Sequence, residues 1–184
     1  LTQQHERIIL PLITDLVNDT LDMMANLQPG ELVEYVVLDF ADAFYKIPLH
    51  PDERKHFATK FGGVFMVWTR VAQGSRNGPQ LYGRLSVMLG RFCQGVLDPI
   101  KARLHIFTDD PVVVMRGTRK EIDTIQTKSI LAWRALGLDL AFVKGQSGSG
   151  VAWIGHHIHA AAEERKVHVN IKEEFLEDLA TDAK

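Results

Sequence analysis

The chain has 184 residues, 46% of them hydrophobic, with 21 Lys and Arg against 23 Asp and Glu for a formal net charge of −2. That length fits one domain or slightly more, the apolar fraction excludes wholesale disorder, and the charge lacks the basic excess of a strong nucleic-acid binder. The single Cys93 excludes an internal disulfide framework and fits a reducing, intracellular compartment, cytoplasmic or nuclear. No apolar run approaches the ~20 residues of a membrane span, and no signal peptide is evident, so no membrane partner is expected. A chain that opens on Leu1 instead of Met reads as a fragment or a processed product.

In chain order, Pro11 is placed to open a helix in which Leu12, Ile13, Leu16, Val17, Leu21 and Met24 recur near helical spacing. LQPGELVE ends it, YVVLDF reads as a buried strand, and ADAFYKIPLHP is compact and closes on prolines. HFATKF and VFMVWTR flank Gly62-Gly63, a hairpin signal, and AQGSRNGP is a loop. Leu81, Leu85, Met88, Leu89 and Phe92 form a helical stripe predicted to be core. RLHIFT and PVVVM are two further strands. Thr118 with Glu121 makes a capping box for a helix that runs toward Leu136 and stops at Gly137. LDLAFV reads as a short strand, KGQSGSG as a flexible loop, VAWIGHHI and KVHV as strands, and Asn170 with Glu173 as the cap of a last helix. This order predicts a mixed α+β fold built mostly from antiparallel hairpins.

Between RLHIFT and PVVVM stand Asp109, Asp110 and Pro111, residue types that strand interiors avoid. Placing them at a hairpin turn keeps the carboxylates solvated and leaves Pro111 where no backbone donor is required. A second strand, VVLDFADAF, carries Asp39 at its end with Asp42 just beyond. If the two strand ends are neighbours, Asp39 and Asp109 converge, and converging carboxylates suit a hard divalent cation such as Mg²⁺. Two such ions about 4 Å apart clamp the attacking and leaving oxygens of phosphoryl transfer. Read alone, the Asp-Asp-Pro tripeptide means no more than an ordinary acidic turn.

The tripeptide is not alone. LDFADAFYKIPLHPDERKHFATKF, VAQGSRNGP, FTDD, LGLDLAFVKG and WIGHHI resemble, in order, the blocks of reverse transcriptases, most closely those of retrotransposons, over roughly residues 5–180. The resemblance implies a polymerase palm: an antiparallel central sheet of four strands, with helices over about 80–93 and 119–136 on one face. It divides the chain into fingers-like parts (about 1–34 and 50–72), palm (about 35–49 and 73–166) and the start of a thumb or connection (167–184). On this pattern the fingers are partial and the thumb incomplete. The implied function is RNA-directed DNA polymerisation by a fragment of a retroelement polyprotein. The alternative is an inactive remnant that keeps the fold and only binds nucleic acid. Partners would be an RNA or DNA template with its primer, and a deoxynucleoside triphosphate.

The same resemblance assigns roles. Asp39 and Asp109 would be the principal ligands of two Mg²⁺ ions, for which Mn²⁺ could substitute, with Asp110 as third carboxylate and the carbonyl of Phe40 touching one metal. Asp42 and Ala43 would lie along the triphosphate. Phe44 would lie under the sugar, where an aromatic ring blocks a 2′-hydroxyl. Gln73 and Gly74 would line the nucleotide pocket, and Lys144 would sit near the phosphates; apart from the resemblance, Arg76 sits in the AQGSRNGP loop, where neighbouring glycines expose the backbone, and is placed to reach a phosphate or the template. Trp153, Ile154, Gly155 and His156 would form a turn gripping the primer, and Phe107 would face it. Two positions depart from the family pattern: Phe107 stands where Tyr is common, and Pro111 where a β-branched residue or Leu is common.

Other residues carry less. Lys55, Lys60 and Arg70, on or beside the glycine hairpin, suit template phosphates or a solvated strand face equally well. His156, His157 and His159 lack the Cys or carboxylate partners that a zinc site needs, and contact with nucleic acid suits them better. Trp68, Trp133, Trp153, Met23, Met24, Met88 and Cys93 are expected in the core.

Overall fold

The computed structural model describes residues 9–172. In chain order it contains helix α1 (Ile13–Ala25), strands β1 (Leu32–Val37), β2 (Ala58–Phe61) and β3 (Val64–Val67), helix α2 (Gly78–Gly95), strands β4 (Ala102–Phe107) and β5 (Asp110–Gly117), helix α3 (Arg119–Ala135), and strands β6 (Gln146–Gly148), β7 (Gly150–Trp153), β8 (His156–Ala161) and β9 (Lys166–Ile171). Short 3₁₀ turns occupy Ala43–Lys46, Pro51–His56 and Phe142–Lys144. No helix among the described residues is long and apolar enough to cross a membrane.

The centre is an antiparallel sheet in the order β4-β5-β1-β6. Its two middle strands, LVEYVV and DPVVVMRG, are covered on both faces, which explains their nearly unbroken apolar runs. Strand alternation then sorts the side chains. Val36, Val113 and Met115 pack with Tyr82, Leu89 and Cys93 of α2 and with Ile122, Ile125 and Trp133 of α3. Tyr35, Val37, Val112 and Val114 pack on the opposite side against Leu16, Met23 and Met24 of α1 and Val151, Trp153 and Ile158 of the three-stranded sheet β7-β8-β9. Val112, Val113, Val114 and Met115 are fully buried, and each such side chain contributes roughly 1.5–3 kcal/mol. The predicted four-strand antiparallel centre, with α2 and α3 on one face, is present.

Several local expectations are corrected. LDLAFV is no strand: it makes one bridge, Leu140 to Phe40, and then turns into the 3₁₀ segment Phe142–Lys144. KGQSGSG is not wholly a loop, because Gln146–Gly148 pairs with Val37, Val36 and Tyr35 as an edge strand. A stretch of Gly and Ser shows no side-chain pattern, and the free edge of β1 supplies the order. VAWIGHHI is two strands around an Ile154-Gly155 turn, with Trp153 opposite His156. The buried stripe of α2 is Gly78, Tyr82, Gly83, Ser86, Leu89 and Cys93; Leu81, Met88 and Phe92 lie on the exposed side. Trp68 is not core either: it is 38% exposed and stacks on Tyr45, with ring centroids 6.0 Å apart. Asn170 lies in β9, and the helix predicted from it falls outside the described residues.

The predicted cap of α3 is formed. The Thr118 N–H and hydroxyl donate to Glu121 Oε2 at 2.8 and 2.9 Å, and Lys101 pairs with the other carboxylate oxygen. The Lys101 hydrogen bond, followed by those from Thr118, lowers the Glu121 pKa to about 2. A carboxyl depressed in the folded state contributes stability that is fully present above its unfolded pKa and is lost as pH falls through the folded one. Thermal melts should therefore show the Glu121→Gln variant less stable than the parent above about pH 4.5, with the gap closing toward about pH 2.

Candidate active site

Backbone pairing builds the site. β4 and β5 pair Phe107 with Asp110, leaving Thr108 and Asp109 as a two-residue turn. Such turns require positive φ, and Thr108 takes φ 54°, a conformation that β-branched residues rarely adopt. Beyond β1 the chain continues alongside this turn: the Leu38 N–H donates to the Pro111 carbonyl at 3.2 Å and the Phe40 N–H to the Asp109 carbonyl at 3.0 Å. Those two bonds place Asp39 beside Asp109 and Asp110, as expected from the strands. Asp110 is the first residue of β5, one step past the turn. Pro111 follows it in a central strand, where its carbonyl is used and its missing N–H falls at the strand start.

On its other side Asp39 is held by the segment after α3. The Ala141 N–H donates to the Asp39 carbonyl at 2.9 Å, and the Ala41 N–H to the Asp139 carbonyl at 2.8 Å. Lys144, at the end of the 3₁₀ segment, reaches back to Asp39 Oδ2 at 2.6 Å. Asp109 Oδ1 accepts from the Thr108 hydroxyl at 2.7 Å. Burial, then the charges of Asp109 and Asp39, raise the Asp110 pKa to about 6, against the opposing pull of Lys144 and Lys172. The Lys144 ammonium is held above its ordinary range, first by its hydrogen bond to Asp39. Like charges thus crowd together, with Lys144 bonded to Asp39 and Lys172 farther off as counter-charges.

Among the described residues no three His, Cys, Asp or Glu side chains converge into a ready-made ion site. Asp39 and Asp109 instead face the Lys144 and Thr108 donors. As a donor set, Asp39, Asp109 and Asp110 are hard oxygen ligands whose mutual repulsion a divalent cation relieves, and in that sense they fit one.

Phe44 is held by its neighbours. Asp42, with φ 55°, turns the chain into Ala43–Lys46; Ala43 is buried and Phe44 is half-buried. The Phe44 ring lies 5.1 Å from the Tyr82 ring, tilted by 32°. A Cβ added at Gly78, one turn earlier on α2, would lie 3.5 Å from Phe44 Cδ1. Gln73, Gly74 and Arg76 are exposed in the loop entering α2, where Gly74 has φ 85°. Trp153 is buried, and its indole N–H donates to the Asp110 carbonyl at 3.0 Å, so it supports the centre from beneath. Phe107 and Ile154 pack into the same cluster. Ile154 and Gly155 take φ 37° and 80° at the β7–β8 turn, and His156 Nδ1 bonds the Ile154 carbonyl at 2.9 Å. The β2–β3 hairpin stands exposed, with Lys60 over the Phe65 ring at 5.5 Å.

Sequence reading missed three participants. Tyr82 backs Phe44 and has a buried hydroxyl with no partner among the described residues; burial, then the charges of Asp109, Asp39 and Asp110, raise its pKa. Ser86 donates to the Thr108 carbonyl at 3.0 Å. Asp139 pairs with Lys46 and with Arg134, and lies in the segment that holds Asp39. Only the helical register of Tyr82 and Ser86 with Gly78 hinted at any of this.

Comparison with known proteins gives the class. Residues 9–158 match the family described as reverse transcriptase (RNA-dependent DNA polymerase), and the chain belongs to that family of nucleotidyltransferases. Among its relatives, the Gag-Pol polyprotein of Avian reticuloendotheliosis virus is 29% identical over 150 residues, covering 74% of this chain and 12% of that protein. The Gag-Pro-Pol polyprotein of Mouse mammary tumor virus (strain BR6) is 27% identical over 157 residues, covering 77% and 9%. The chain therefore spans a small part of these polyproteins. The fold is shared with the foamy viral protease-reverse transcriptase in complex with RNA/DNA hybrid, at TM-score 0.65 and 20% identity over 87% of this chain and 20% of that one. The same protein's dRH form in complex with ds DNA aligns at TM-score 0.66 and 21% identity, over 88% and 26%.

Proposed function

We propose that the chain carries the catalytic centre of an RNA-directed DNA polymerase of a retroelement polyprotein. The observation that carries this reading is the backbone ladder from Leu38 to Phe40 against Asp109 to Pro111, which gathers Asp39, Asp109 and Asp110 at one sheet end. In the reaction, the 3′-hydroxyl of a primer attacks the α-phosphorus of a deoxynucleoside triphosphate; the new O–P bond forms as the bond to pyrophosphate breaks. Asp39, Asp109 and Asp110, with the Phe40 carbonyl, would hold two divalent ions, Mg²⁺ or Mn²⁺, whose charge stabilises the transferring phosphoryl group. Lys144 adds positive charge where the phosphates lie, exchanging its bond to Asp39 for one to them. Asp42 and Ala43 border the triphosphate, Phe44 bounds the sugar, and Gln73 with Gly74 faces the base. Arg76, Phe107 and the Ile154–His156 turn lie on the primer–template side, and β2–β3 forms part of the fingers.

Metal binding tests the centre without catalysis. A Mn²⁺ titration followed by electron paramagnetic resonance should show saturable binding by the parent, weakened about tenfold or more in Asp39→Asn. Equal binding by both would instead favour a remnant that holds the fold and binds only nucleic acid.

A further inference from the structure

Buried helical hydroxyls normally bond back to their own helix, four residues earlier. Thr20 does so to Leu16 at 2.7 Å, and Ser129 to Ile125 at 3.0 Å. Ser86 does not. It sits in the buried stripe of α2, 4% exposed, one turn after Tyr82, and its hydroxyl leaves the helix to donate to the Thr108 carbonyl at 3.0 Å. Thr108 is the residue with φ 54° in the catalytic hairpin turn, where glycine or asparagine would be unstrained. Its own hydroxyl donates to Asp109 Oδ1 at 2.7 Å, while the Asp109 carbonyl accepts from the Phe40 N–H at 3.0 Å. The two peptides that flank Asp109 are therefore each gripped, the Thr108–Asp109 peptide from α2 and the Asp109–Asp110 peptide from the Asp39 segment.

We propose that Ser86 is a positioning residue for the carboxylate centre: its hydrogen bond holds Thr108 in the left-handed conformation and so aims Asp109. This rests on the polymerase reading above. The chemistry needs a donor at this point because a bond to the carbonyl fixes the plane of the peptide, and an apolar side chain would leave that plane free to rotate. The same stripe carries Gly78 and Tyr82 against Phe44, so one helix face sets both the sugar boundary and the aim of the catalytic carboxylate.

The test compares the parent with Ser86→Ala and Ser86→Thr by two readouts. The first, hydrogen–deuterium exchange over residues 107–110, needs no activity. Exchange there should rise in Ser86→Ala and return to the parent's level in Ser86→Thr. The second is single-nucleotide addition to a primed RNA template. Ser86→Ala should lower kcat about fivefold to tenfold with the KM for the deoxynucleotide unchanged, as expected for one lost hydrogen bond, and Ser86→Thr should recover it. In a Thr108→Gly background, where positive φ is free of strain, the Ser86→Ala effect on exchange and on kcat should shrink. Unchanged exchange in Ser86→Ala overturns the proposal, as does an exchange or kcat loss equal in both backgrounds. A parent that adds no nucleotide yet shows the predicted exchange pattern overturns the polymerase reading while leaving Ser86 as the residue that holds the turn.

Discussion

Replacing Asp109 by Asn is expected to lower the rate of templated nucleotide addition about a thousandfold, some 4 kcal/mol in the barrier. The substitution is nearly isosteric. An Asn side-chain oxygen still accepts from the Thr108 hydroxyl, and the Phe40 N–H still meets the carbonyl of residue 109, so the hairpin keeps its geometry. Only the charge is lost. Melting temperature should stay level or rise, because the Asp109 charge is one of the causes that push Asp110 up to about 6. Stopped-flow or quench-flow incorporation on a primed template, with thermal melts beside it, reads both effects. Loss of activity accompanied by a large fall in stability would assign Asp109 to the fold and not to the chemistry.

The second large effect concerns the sugar. Phe44→Val should raise the efficiency of ribonucleotide incorporation relative to deoxynucleotide about tenfold to a hundredfold, equivalent to about 1.4–2.8 kcal/mol of discrimination. The Phe44 ring is backed by α2: the Tyr82 ring lies 5.1 Å from it, and a Cβ at Gly78 would stand 3.5 Å from its Cδ1, an ordinary van der Waals distance. Valine vacates the ring volume without disturbing that backing, whereas the fully buried Tyr82 stays in place. The ratio of kcat/KM for the two nucleotides is the readout. Selection equal to the parent's would mean that the sugar is bounded by another residue.

How much of this was legible beforehand depends on the kind of interaction. The β1, β5 and α3 elements could be read because their signals are local: apolar runs buried on two faces, and a Thr118–Glu121 cap that formed as expected. The backbone adjacency of Asp39 to the Asp109-Asp110 turn followed from strand ends and a resemblance in motif order. The edge strand Gln146–Gly148 was invisible, since Gly and Ser carry no alternation and its order comes from the partner β1. The α2 stripe was misassigned by one position, because hydrophobicity alone favoured Leu81, Met88 and Phe92 over the Tyr82 and Ser86 that are buried. Polar residues inside a helix stripe look like surface until the partner across the fold is known, and for Ser86 that partner lies 22 residues away. Lys144 was placed near the site by its motif, but its 2.6 Å contact with Asp39 is a tertiary fact.

The most direct measurement is primer extension on an RNA template of defined sequence, with one deoxynucleotide supplied at a time and Mg²⁺ or Mn²⁺ present, comparing the parent with Asp109→Asn. The account predicts that the parent adds a nucleotide only when it complements the template, that chelation of the divalent ion stops it, and that Asp109→Asn adds none on the same timescale. Extension that ignores the template, or that persists in Asp109→Asn, would contradict it.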